Sequence, residues 1–259
     1  MTHCNLEGYT IHAKQMSRRV RDRKSHPELS AIDRIVEAKL QERQPLTILD
    51  IGCGTGERLK MILERSDIDL NKAKITGVDF CLPLLEEAKD KELNGRKIYC
   101  DLIHTDAKDI PNEKQFDIIL CLFSVLNNVG DLMAVNTWAP LLRKDGLLIL
   151  DVLHPGVIPH FLKDKEPILE KRFGKTEQNV FYYRRKTDNS FGQATIWSFD
   201  ILADTLQANN LAIKEAYDIL TFRSKGRKGA LARPYKDNTP GTTHEKAWPN
   251  SILFICTKP

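Results

Sequence analysis

The feature that most constrains this chain is a short apolar strand that runs directly into three alternating glycines. The segment is Leu49–Gly56 (LDIGCGTG), and residues 57–65 after it have the spacing of an amphipathic helix. Glycine permits positive φ and lets a ligand approach bare backbone, while the following helix N-terminus attracts polar and anionic groups. We therefore predict a nucleoside-type cofactor at the C-terminal edge of a sheet. A tight turn without a ligand is the alternative that the sequence leaves open.

Strand-like and helix-like segments alternate from residue 46 to residue 153. The helical stretches are Glu57–Arg65, Leu82–Leu93 and Asp131–Arg143, the last of which Pro140 should kink or end. The strand candidates are rich in leucine and β-branched residues, which is typical of parallel strands covered on both faces. This alternation predicts right-handed crossovers and a doubly wound sheet. The predicted strands are Leu46–Ile51, Ile75–Phe80, Lys97–Ile103, Phe116–Phe123 and Leu147–Leu153.

Both ends of the chain add to this framework. An N-terminal helical segment, 1–45, contains an amphipathic helix at Glu28–Glu42. Residues 155–195 are polar, aromatic-bearing and irregular, so we predict a lid-like insertion there. A chain of 259 residues can bury one sizeable core, and we predict a single domain over residues 1–259. The remaining predicted elements are a helix at Phe199–Asn210 and strands near Ala212–Leu220 and Ser251–Thr257.

The charge pattern leaves the class of binding partner open. The formal net charge of +4 is mild and does not by itself indicate a nucleic-acid partner. Three basic stretches nevertheless lie at Lys14–Lys24, Lys171–Lys186 and Arg223–Lys236, outside the predicted strand–helix framework. They could bind an anionic small molecule or follow an RNA phosphate backbone, or they could be solvated loops.

Cysteine usage and the N-terminus predict a cytoplasmic protein. None of the six cysteines forms a C-x-x-C pair, so buried thiols in a reducing compartment are the simplest interpretation. The N-terminus lacks a basic-then-apolar leader pattern, and no apolar stretch reaches about 18 residues, so we predict no membrane contact. His154 and His160 lack partners at ligand spacing, so we predict no metal site.

Two acidic residues follow later strands at positions suited to a nucleoside. Asp79 ends the second predicted strand, 23 residues after Gly56, where a carboxylate can accept hydrogen bonds from both ribose hydroxyls. Asp106 and Ala107 follow the third predicted strand, where a short acceptor could meet the adenine amino group. The alternatives are a helix-capping role for Asp79 and a solvated turn at Asp106.

Together these residues resemble the class I S-adenosylmethionine (SAM)-dependent methyltransferases. The resemblance covers residues 46–153 well and residues 196–259 loosely. It implies an α/β fold with a doubly wound, seven-stranded, Rossmann-like sheet in the order 3-2-1-4-5-7-6, the last strand antiparallel and helices on both faces. The segments that carry it are Ile48–Gly56 (ILDIGCGTG), Ile75–Phe80 (ITGVDF), His104–Pro111 (HTDAKDIP), Phe116–Val129 (FDIILCLFSVLNNV) and Leu141–Leu150 (LLRKDGLLIL).

The resemblance also implies the cofactor and its binding residues. SAM is the expected cofactor and S-adenosylhomocysteine the expected product. At the adenosine end, Asp79 should hold the ribose, Phe80 should flank adenine, and Asp106 with the backbone of Ala107 should meet the adenine amino group. At the methionine end, Asp50 should bind the amino group through water. The other residues implied there are Gly52, Cys53, Gly54 and Gly56 of the loop and the backbone of Cys121 and Leu122.

The residues of the acceptor side are less well determined. Methyl transfer from a sulfonium is an in-line displacement, so positioning is the main requirement and a base is needed only for some acceptors. His154 is the best placed catalytic candidate, although it could instead turn the chain into the lid together with Pro155. Asn127 and Asn128 could orient an acceptor or cap the helix after Asp131. Trp138, Trp197 and Trp248 could be core residues or pocket walls.

The predicted function is methyl transfer from SAM to a small-molecule acceptor, which the basic stretches suggest could be anionic. An RNA or protein methyltransferase and a SAM-binding protein without turnover are the alternatives. The G-x-G-x-G spacing argues against an NAD-dependent oxidoreductase, for which G-x-G-x-x-G is typical. The chain lacks the N/D-P-P-Y/F tetrapeptide in its fourth motif, so methylation of the exocyclic amino groups of bases, or of glutamine, is not favoured. The fold cannot specify the acceptor atom.

Overall fold

The computed structural model describes residues 27–65, 69–153, 155, 165–172, 178–186, 191–224, 227–234 and 247–259. The helices, numbered in chain order, are α1 (Pro27–Glu42), α2 (Glu57–Arg65), α3 (Leu82–Lys89), α4 (Val125–Val129), α5 (Ala134–Leu141) and α6 (Phe199–Ala208), with a 3₁₀ turn at Leu70–Lys72. The strands are β1 (Leu46–Ile51), β2 (Ala73–Asp79), β3 (Glu92–Leu93), β4 (Arg96–Lys97), β5 (Asp101–His104), β6 (Phe116–Cys121), β7 (Leu142–Leu153), β8 (Lys165–Arg172), β9 (Gln178–Arg185), β10 (Phe191–Trp197), β11 (Ala212–Ser224), β12 (Arg227–Pro234) and β13 (Ala247–Thr257).

The main sheet has eight strands in the order β12-β11-β13-β7-β6-β1-β2-β5. Strands β7, β6, β1, β2 and β5 pair in parallel, and β13 enters antiparallel between β7 and β11. Read from β5, this is the predicted order 3-2-1-4-5-7-6 with its antiparallel last strand, which confirms the predicted fold. The difference is one additional edge strand, β12, which pairs antiparallel with β11.

Two hydrophobic clusters cover the two faces of this sheet. One joins α1, α2 and α3 to the sheet through residues such as Val36, Ile62 and Leu85. The other joins α5 and α6 to the opposite face through residues such as Trp138 and Leu206. Alternate side chains of one strand point to opposite faces, so Ile118 of β6 belongs to the first cluster and the neighbouring Ile119 to the second. Helices therefore lie on both faces, as predicted.

The predicted irregularity of residues 155–195 is wrong for the residues that the structure describes there. β8, β9 and β10 form a separate antiparallel sheet in the order β10-β9-β8. Phe181, Tyr183, Ala194 and Ile196 are buried in its own small cluster, together with partly buried Leu153 of β7. Phe181 and Tyr183 of the second basic stretch thus fill a core. In β10, Ala194 and Ile196 alternate with Gln193 and Thr195. This alternation has the period of a strand, and that period was the missed signal.

The third basic stretch, Arg223–Lys236, was predicted to lie outside the strand–helix framework, and this is also wrong. It includes the end of β11 and the whole of β12, which pair from Tyr217 with Pro234 to Ser224 with Arg227. The stretch therefore extends the main sheet by one edge strand, and basic residues are common on such edges because they discourage further strand pairing. The first basic stretch, Lys14–Lys24, lies outside the described residues.

Element ends differ from prediction mainly where a buried side chain turns the chain. Helix α5 ends at Leu141, directly after Pro140, as the proline predicted. The strand predicted from Lys97 begins only at Asp101, because Ile98 and Tyr99 are buried outside the ladder.

In the described part of the chain, no helix is long and apolar enough to cross a membrane.

Candidate cofactor site

The candidate site lies where the parallel strands end. Ile51, the last residue of β1, is paired with Val78 of β2 on one side and with Cys121 of β6 on the other. Asp79 of β2 is paired with His104 of β5. The loops that follow these four strands therefore lie side by side at one edge of the sheet, where α/β folds commonly bind ligands.

The glycine loop is held against the end of β2. The backbone N–H groups of Gly52 and Cys53 both donate to the carbonyl of Val78, at 2.8 and 3.0 Å. Gly52, Gly54 and Gly56 all have positive φ, between 55° and 74°. A side chain at Gly52 would also collide with Val125, whose Cγ2 would lie 2.4 Å from the added carbon. The loop therefore requires glycine both for its backbone shape and for the close approach of α4.

Asp79 joins the second strand to the glycine loop. Its Oδ2 accepts the backbone N–H of Gly54 at 2.8 Å, and its Oδ1 accepts that of Cys81 at 2.9 Å. The carboxylate is 5% exposed. Burial raises its pKa, although these backbone donors act in the opposite direction. Each carboxylate oxygen can accept more than one hydrogen bond, so this geometry leaves acceptor capacity for a ligand.

A pocket opens beside Asp79. The ribose- and adenine-binding candidates from the sequence, namely Asp79, Phe80, Asp106 and Ala107, all line it, as does Gly52 of the predicted methionine end. Phe80 is 42% exposed, which leaves its ring accessible to a flat ligand. The other residues that line the pocket are Val78, Val125, Asn128, Val129, Gly192 and Gln193.

The loop after β5 presents Asp106 and Ala107 to this pocket. Asp106 is exposed, and its Oδ1 accepts the backbone N–H of Lys108 at 2.9 Å, which stabilises a tight turn. The carbonyl of Ala107 accepts the indole N–H of Trp138 at 2.7 Å. Trp138 is itself fully buried, so it is a core residue that anchors the loop from below. Trp197 is also buried in the core, whereas the side chain of Trp248 lies outside the described residues.

Asp50 lies beneath the glycine loop with a partner that the sequence did not indicate. The hydroxyl of Tyr99 donates to its Oδ2 at 2.7 Å, and both side chains are buried. Burial raises the pKa of Asp50 to about 7, and the nearby charge of Asp79 adds to the rise. The hydrogen bond from Tyr99 and the charge of Arg58 lower the pKa, but they do not outweigh burial.

The other loop and strand residues of the predicted methionine end are mostly buried. Cys53 is 8% exposed, and burial raises the pKa of its thiol well above the usual value. Gly56 faces Tyr99, whose Cε2 would lie 2.7 Å from an added side-chain carbon. Cys121 and Leu122 are also buried, and Cys121 stands next to the end of β1 in the sheet register. None of these four is among the residues that line the described pocket.

The segment after β6 bends sharply into the site. Phe123 and Ser124 both adopt the left-handed conformation, at φ 64° and 62°, which costs about 1 kcal/mol or more for each such residue. The backbone N–H of Ser124 donates to Asp151 of β7 at 2.9 Å, and the guanidinium of Arg58 lies 3.4 Å from the centre of the Phe123 ring. This bend brings Val125 and Val129 of α4 to the pocket wall.

The two asparagines of α4 have different surroundings. Asn127 is fully buried, donates to the carbonyl of Thr195 in β10 at 2.6 Å and accepts the N–H of Leu153 at 2.9 Å. It therefore ties the three-stranded sheet to β7 and faces neither solvent nor the pocket. Asn128 is exposed and lines the pocket. Neither caps the next helix, where Asp131 accepts the N–H of Met133 instead.

The three-stranded sheet reaches the pocket through β10, which sequence reasoning missed. Gly192 and Gln193 line the pocket opposite Asp79 and Phe80. The Gln193 amide lies over Gly130, since its Nε2 would be 2.7 Å from a side-chain carbon there. The segment around residue 193 carried no motif, and only the pairing of β10 with β9 positions it. The insertion therefore supplies one wall of the site.

The catalytic candidate His154 lies outside the described residues, as does His160, so the role of His154 stays a prediction. Among the side chains that the structure does describe, no three His, Cys, Asp or Glu residues gather into a group that could hold a metal ion. The absence of a metal therefore also stays a prediction.

Sequence comparison identifies the central part of the chain. Residues 48–146 match the model of a family described as a methyltransferase domain. The ubiquinone/menaquinone biosynthesis C-methyltransferase UbiE of Campylobacter jejuni (strain 81-176) is 31% identical over 110 residues, which are 42% of this chain and 45% of that protein. The chain therefore aligns with less than half of the length of this relative.

Structural comparison extends the likeness to the fold of nearly the whole chain. A SAM-dependent methyltransferase from Clostridium acetobutylicum has a TM-score of 0.62 at 14% identity, with 96% of this chain and 98% of that chain covered. SAM-bound CalS10, an amino pentose methyltransferase from Micromonospora echinaspora, has a TM-score of 0.56 at 17% identity, with 95% and 96% covered. Residues 48–146 therefore match a methyltransferase domain, and the chain has the fold of the class I SAM-dependent methyltransferases, as its sequence motifs predicted.

Proposed function

We propose that this protein transfers a methyl group from SAM to a small-molecule acceptor. The observation that carries the proposal is the pocket at the sheet edge. There Gly52 of the glycine loop, a buried carboxylate at the end of β2 and an exposed carboxylate after β5 face one cavity. A nucleoside offers a matching set of groups, namely two ribose hydroxyls, a flat apolar base and an amino group.

The adenosine part of SAM fits the described lining. Asp79 accepts the ribose hydroxyls with the acceptor capacity that Gly54 and Cys81 leave. Phe80 covers one face of adenine, and Val125 and Val129 supply further apolar surface. Asp106 accepts the adenine amino group. Because the carbonyl of Ala107 is already bound by Trp138, the N–H is the backbone group of Ala107 that we expect adenine to meet.

The methionine part of SAM then extends along the glycine loop toward β6. Asp50 binds the ammonium group from beneath the loop, and the backbone of Cys121 and Leu122 lines the far end. Gly52, Gly54 and Gly56 let the chain of the ligand lie close to the backbone, with Cys53 turned into the core. Asn128 and Gln193, which also line the pocket, would then face the methyl group to be transferred.

When bound, SAM supplies a methyl group on a positively charged sulfur that an acceptor lone pair can displace. The task of the protein is to align the acceptor with the carbon–sulfur bond and to exclude water. Gly192 and Gln193 of β10 support an enclosed site, because they cover the pocket from the side of the insertion. Where the acceptor loses a proton, His154 is the proposed base, on the strength of its sequence position alone.

The acceptor is a small molecule of unassigned class. UbiE is named as a C-methyltransferase and CalS10 as an amino pentose methyltransferase. The similarity to these proteins therefore does not indicate one type of acceptor atom. The described lining includes the carboxylates of Asp79 and Asp106 and no basic side chain. It therefore gives no support to an anionic acceptor, which would depend on parts of the chain outside this lining.

Ligand titration tests the cofactor assignment. We expect SAM and S-adenosylhomocysteine to bind and NAD not to bind in calorimetric titrations. Asp106→Ala should lower the affinity for S-adenosylhomocysteine by about 3- to 10-fold, because it removes one hydrogen bond to the base. Asp106 is exposed, so the variant should fold normally.

Asp90→Ala is the matched control, because Asp90 is another exposed aspartate but lies outside the pocket. Tight NAD binding without SAM binding would overturn the proposal. A screen of small acceptors, read by release of S-adenosylhomocysteine, then tests turnover. SAM binding without release for any acceptor would favour a binding protein.

A further inference from the structure

Tyr99 occupies a gap that two glycines leave beneath the cofactor loop. A side-chain carbon at Gly56 would lie 2.7 Å from its ring, and one at Gly77 of β2 would lie 2.9 Å from it. Gly77 does not have a positive φ, so backbone shape does not require glycine there. The missing side chains thus have a steric consequence, which is that a phenol ring fits between the loop and the second strand.

The position of the ring brings its hydroxyl to Asp50. The hydroxyl donates to Asp50 Oδ2 at 2.7 Å, and Tyr99 is only 7% exposed. The other titratable or charged groups around Asp50 are Arg58 of α2, Asp79 of β2, the thiol of Cys53 and, beyond it, the thiol of Cys121. Of these, Arg58 favours the ionised carboxylate and Asp79 disfavours it.

We propose that Tyr99 is a positioning residue, which favours the ionised form of Asp50 and orients it toward the ammonium group of the cofactor. The inference rests on the proposed SAM site. The third glycine of the motif then has a second role beside contact with the ligand, because it admits the ring that orients Asp50. A hydroxyl is suited to this position since it donates a hydrogen bond without neutralising the carboxylate, so the negative charge remains for the ligand.

The pKa values of the pair agree with this geometry. Burial raises the pKa of Asp50 to about 7, and the hydrogen bond from Tyr99 lowers it. Without the hydroxyl the carboxylate should therefore hold its proton to higher pH, and a protonated Asp50 binds an ammonium group poorly. Burial beside Asp50 raises the pKa of Tyr99 well above its usual value, so the phenol stays a donor at every relevant pH.

The test is the pH profile of ligand affinity in the full-length chain with Tyr99→Phe. S-adenosylhomocysteine reports the contact to the ammonium group, and 5′-methylthioadenosine, which lacks the amino-acid part, reports the adenosine pocket alone. The ratio of the two affinities, followed from about pH 5 to about pH 9, isolates Asp50 from the titration of Asp79. In the variant, the midpoint of this ratio should move upward by about one pH unit, with affinity for 5′-methylthioadenosine unchanged.

Tyr217→Phe is the matched control, because it also deletes a tyrosine hydroxyl that donates to a carboxylate, that of Glu215 in β11. It should leave the affinities for both ligands, and the pH midpoint of their ratio, unchanged. An unshifted midpoint in Tyr99→Phe, or an equal loss of both ligands, would overturn the positioning role and leave Tyr99 as a packing residue. Failure of the unmodified protein to bind either ligand would instead overturn the proposed SAM site.

Discussion

Two buried aspartates on neighbouring strands have opposite surroundings. Asp117 of β6 lies at the N-terminal edge of the sheet and Asp50 of β1 near the C-terminal edge, and they are 5% and 8% exposed. Asp117 accepts two hydrogen bonds from Thr47 and faces the guanidinium groups of Arg143 and Arg43, at 3.1 and 3.3 Å. Asp50 accepts one hydrogen bond from a neutral tyrosine.

The two environments shift the pKa in opposite directions. Burial raises the pKa of Asp117, but the donors of Thr47 and Arg143 outweigh it and hold the pKa below its usual value. Burial raises the pKa of Asp50 to about 7, because no comparable set of donors opposes it. Proteins rarely bury a carboxylate unless it is paired with a cation. The comparison therefore indicates that the protein itself completes the site of Asp117, whereas in the proposed SAM site the ammonium group of the cofactor would complete that of Asp50.

The largest expected effect is on the pH dependence of stability. The folded protein holds the Asp50 proton up to about pH 7, whereas the unfolded chain releases it near the usual value of 3.8. The free energy of unfolding of the ligand-free protein should therefore fall as the pH rises from about 4 to 7, by up to about 4 kcal/mol from this group. Asp50→Asn should flatten this fall, as measured by urea unfolding at several pH values.

Asp117 should give the opposite dependence, in which the free energy of unfolding rises with pH. Its contribution is present above about pH 4 and is lost as the pH falls through its lowered pKa. Asp117→Asn serves as the control, since it should leave the slope between pH 4 and 7 unchanged. The comparison breaks down if Asp50→Asn has the same slope as the unmodified protein. Asp79, whose pKa burial also raises, should leave a residual slope in either variant.

The second largest effect is on the affinity for S-adenosylhomocysteine. Asp50→Asn removes the charge that the ammonium group of S-adenosylhomocysteine should meet, so its affinity at pH 8 should fall by about 10- to 100-fold. Affinity for 5′-methylthioadenosine should change little, because that ligand has no ammonium group. Asp117→Asn should change neither affinity. Calorimetry with both ligands checks this, and equal losses for the two ligands would show damage to the whole pocket.

The smallest effect is the loss of stability in Asp117→Asn. An asparagine keeps one acceptor but no charge for Arg143 and Arg43, whose side chains are 29% and 54% exposed and can turn to solvent. We expect the free energy of unfolding at pH 7 to fall by about 2 kcal/mol. Thermal or urea unfolding measures it, and an unchanged midpoint would mean that the ion pairs add nothing beyond solvation.

Much of the fold was predictable because its signals are local. The doubly wound class of the main sheet followed from the alternation of apolar strands and helices, and the resemblance of the motifs to a known family implied its strand order. Helix α2 was predicted at the residues where it lies. The pocket lining at Gly52, Asp79, Phe80, Asp106 and Ala107 was also predictable. Each of these residues follows a parallel strand, and the C-terminal ends of parallel strands meet at one edge.

The rest depended on contacts between segments that are distant in sequence. Gly192 and Gln193 reach the pocket only because β10 pairs with β9 and because Asn127 binds the carbonyl of Thr195. No local pattern at these residues indicates a ligand. Asn127 likewise could not be separated from Asn128 by sequence, since adjacent residues on a helix point in different directions and the packing decides which is buried.

The sequence by itself determined the doubly wound class of the sheet, the glycine loop and the carboxylates at the strand ends, because periodicity and backbone freedom are properties of neighbouring residues. The tertiary structure alone decided how those carboxylates behave. The pKa of Asp50 depends on its burial and on two neighbours in space. Tyr99 is 49 residues away in sequence, and Asp79 lies on the adjacent strand. Electrostatic free energies are set by distance and solvent exposure in space, which a linear sequence does not contain.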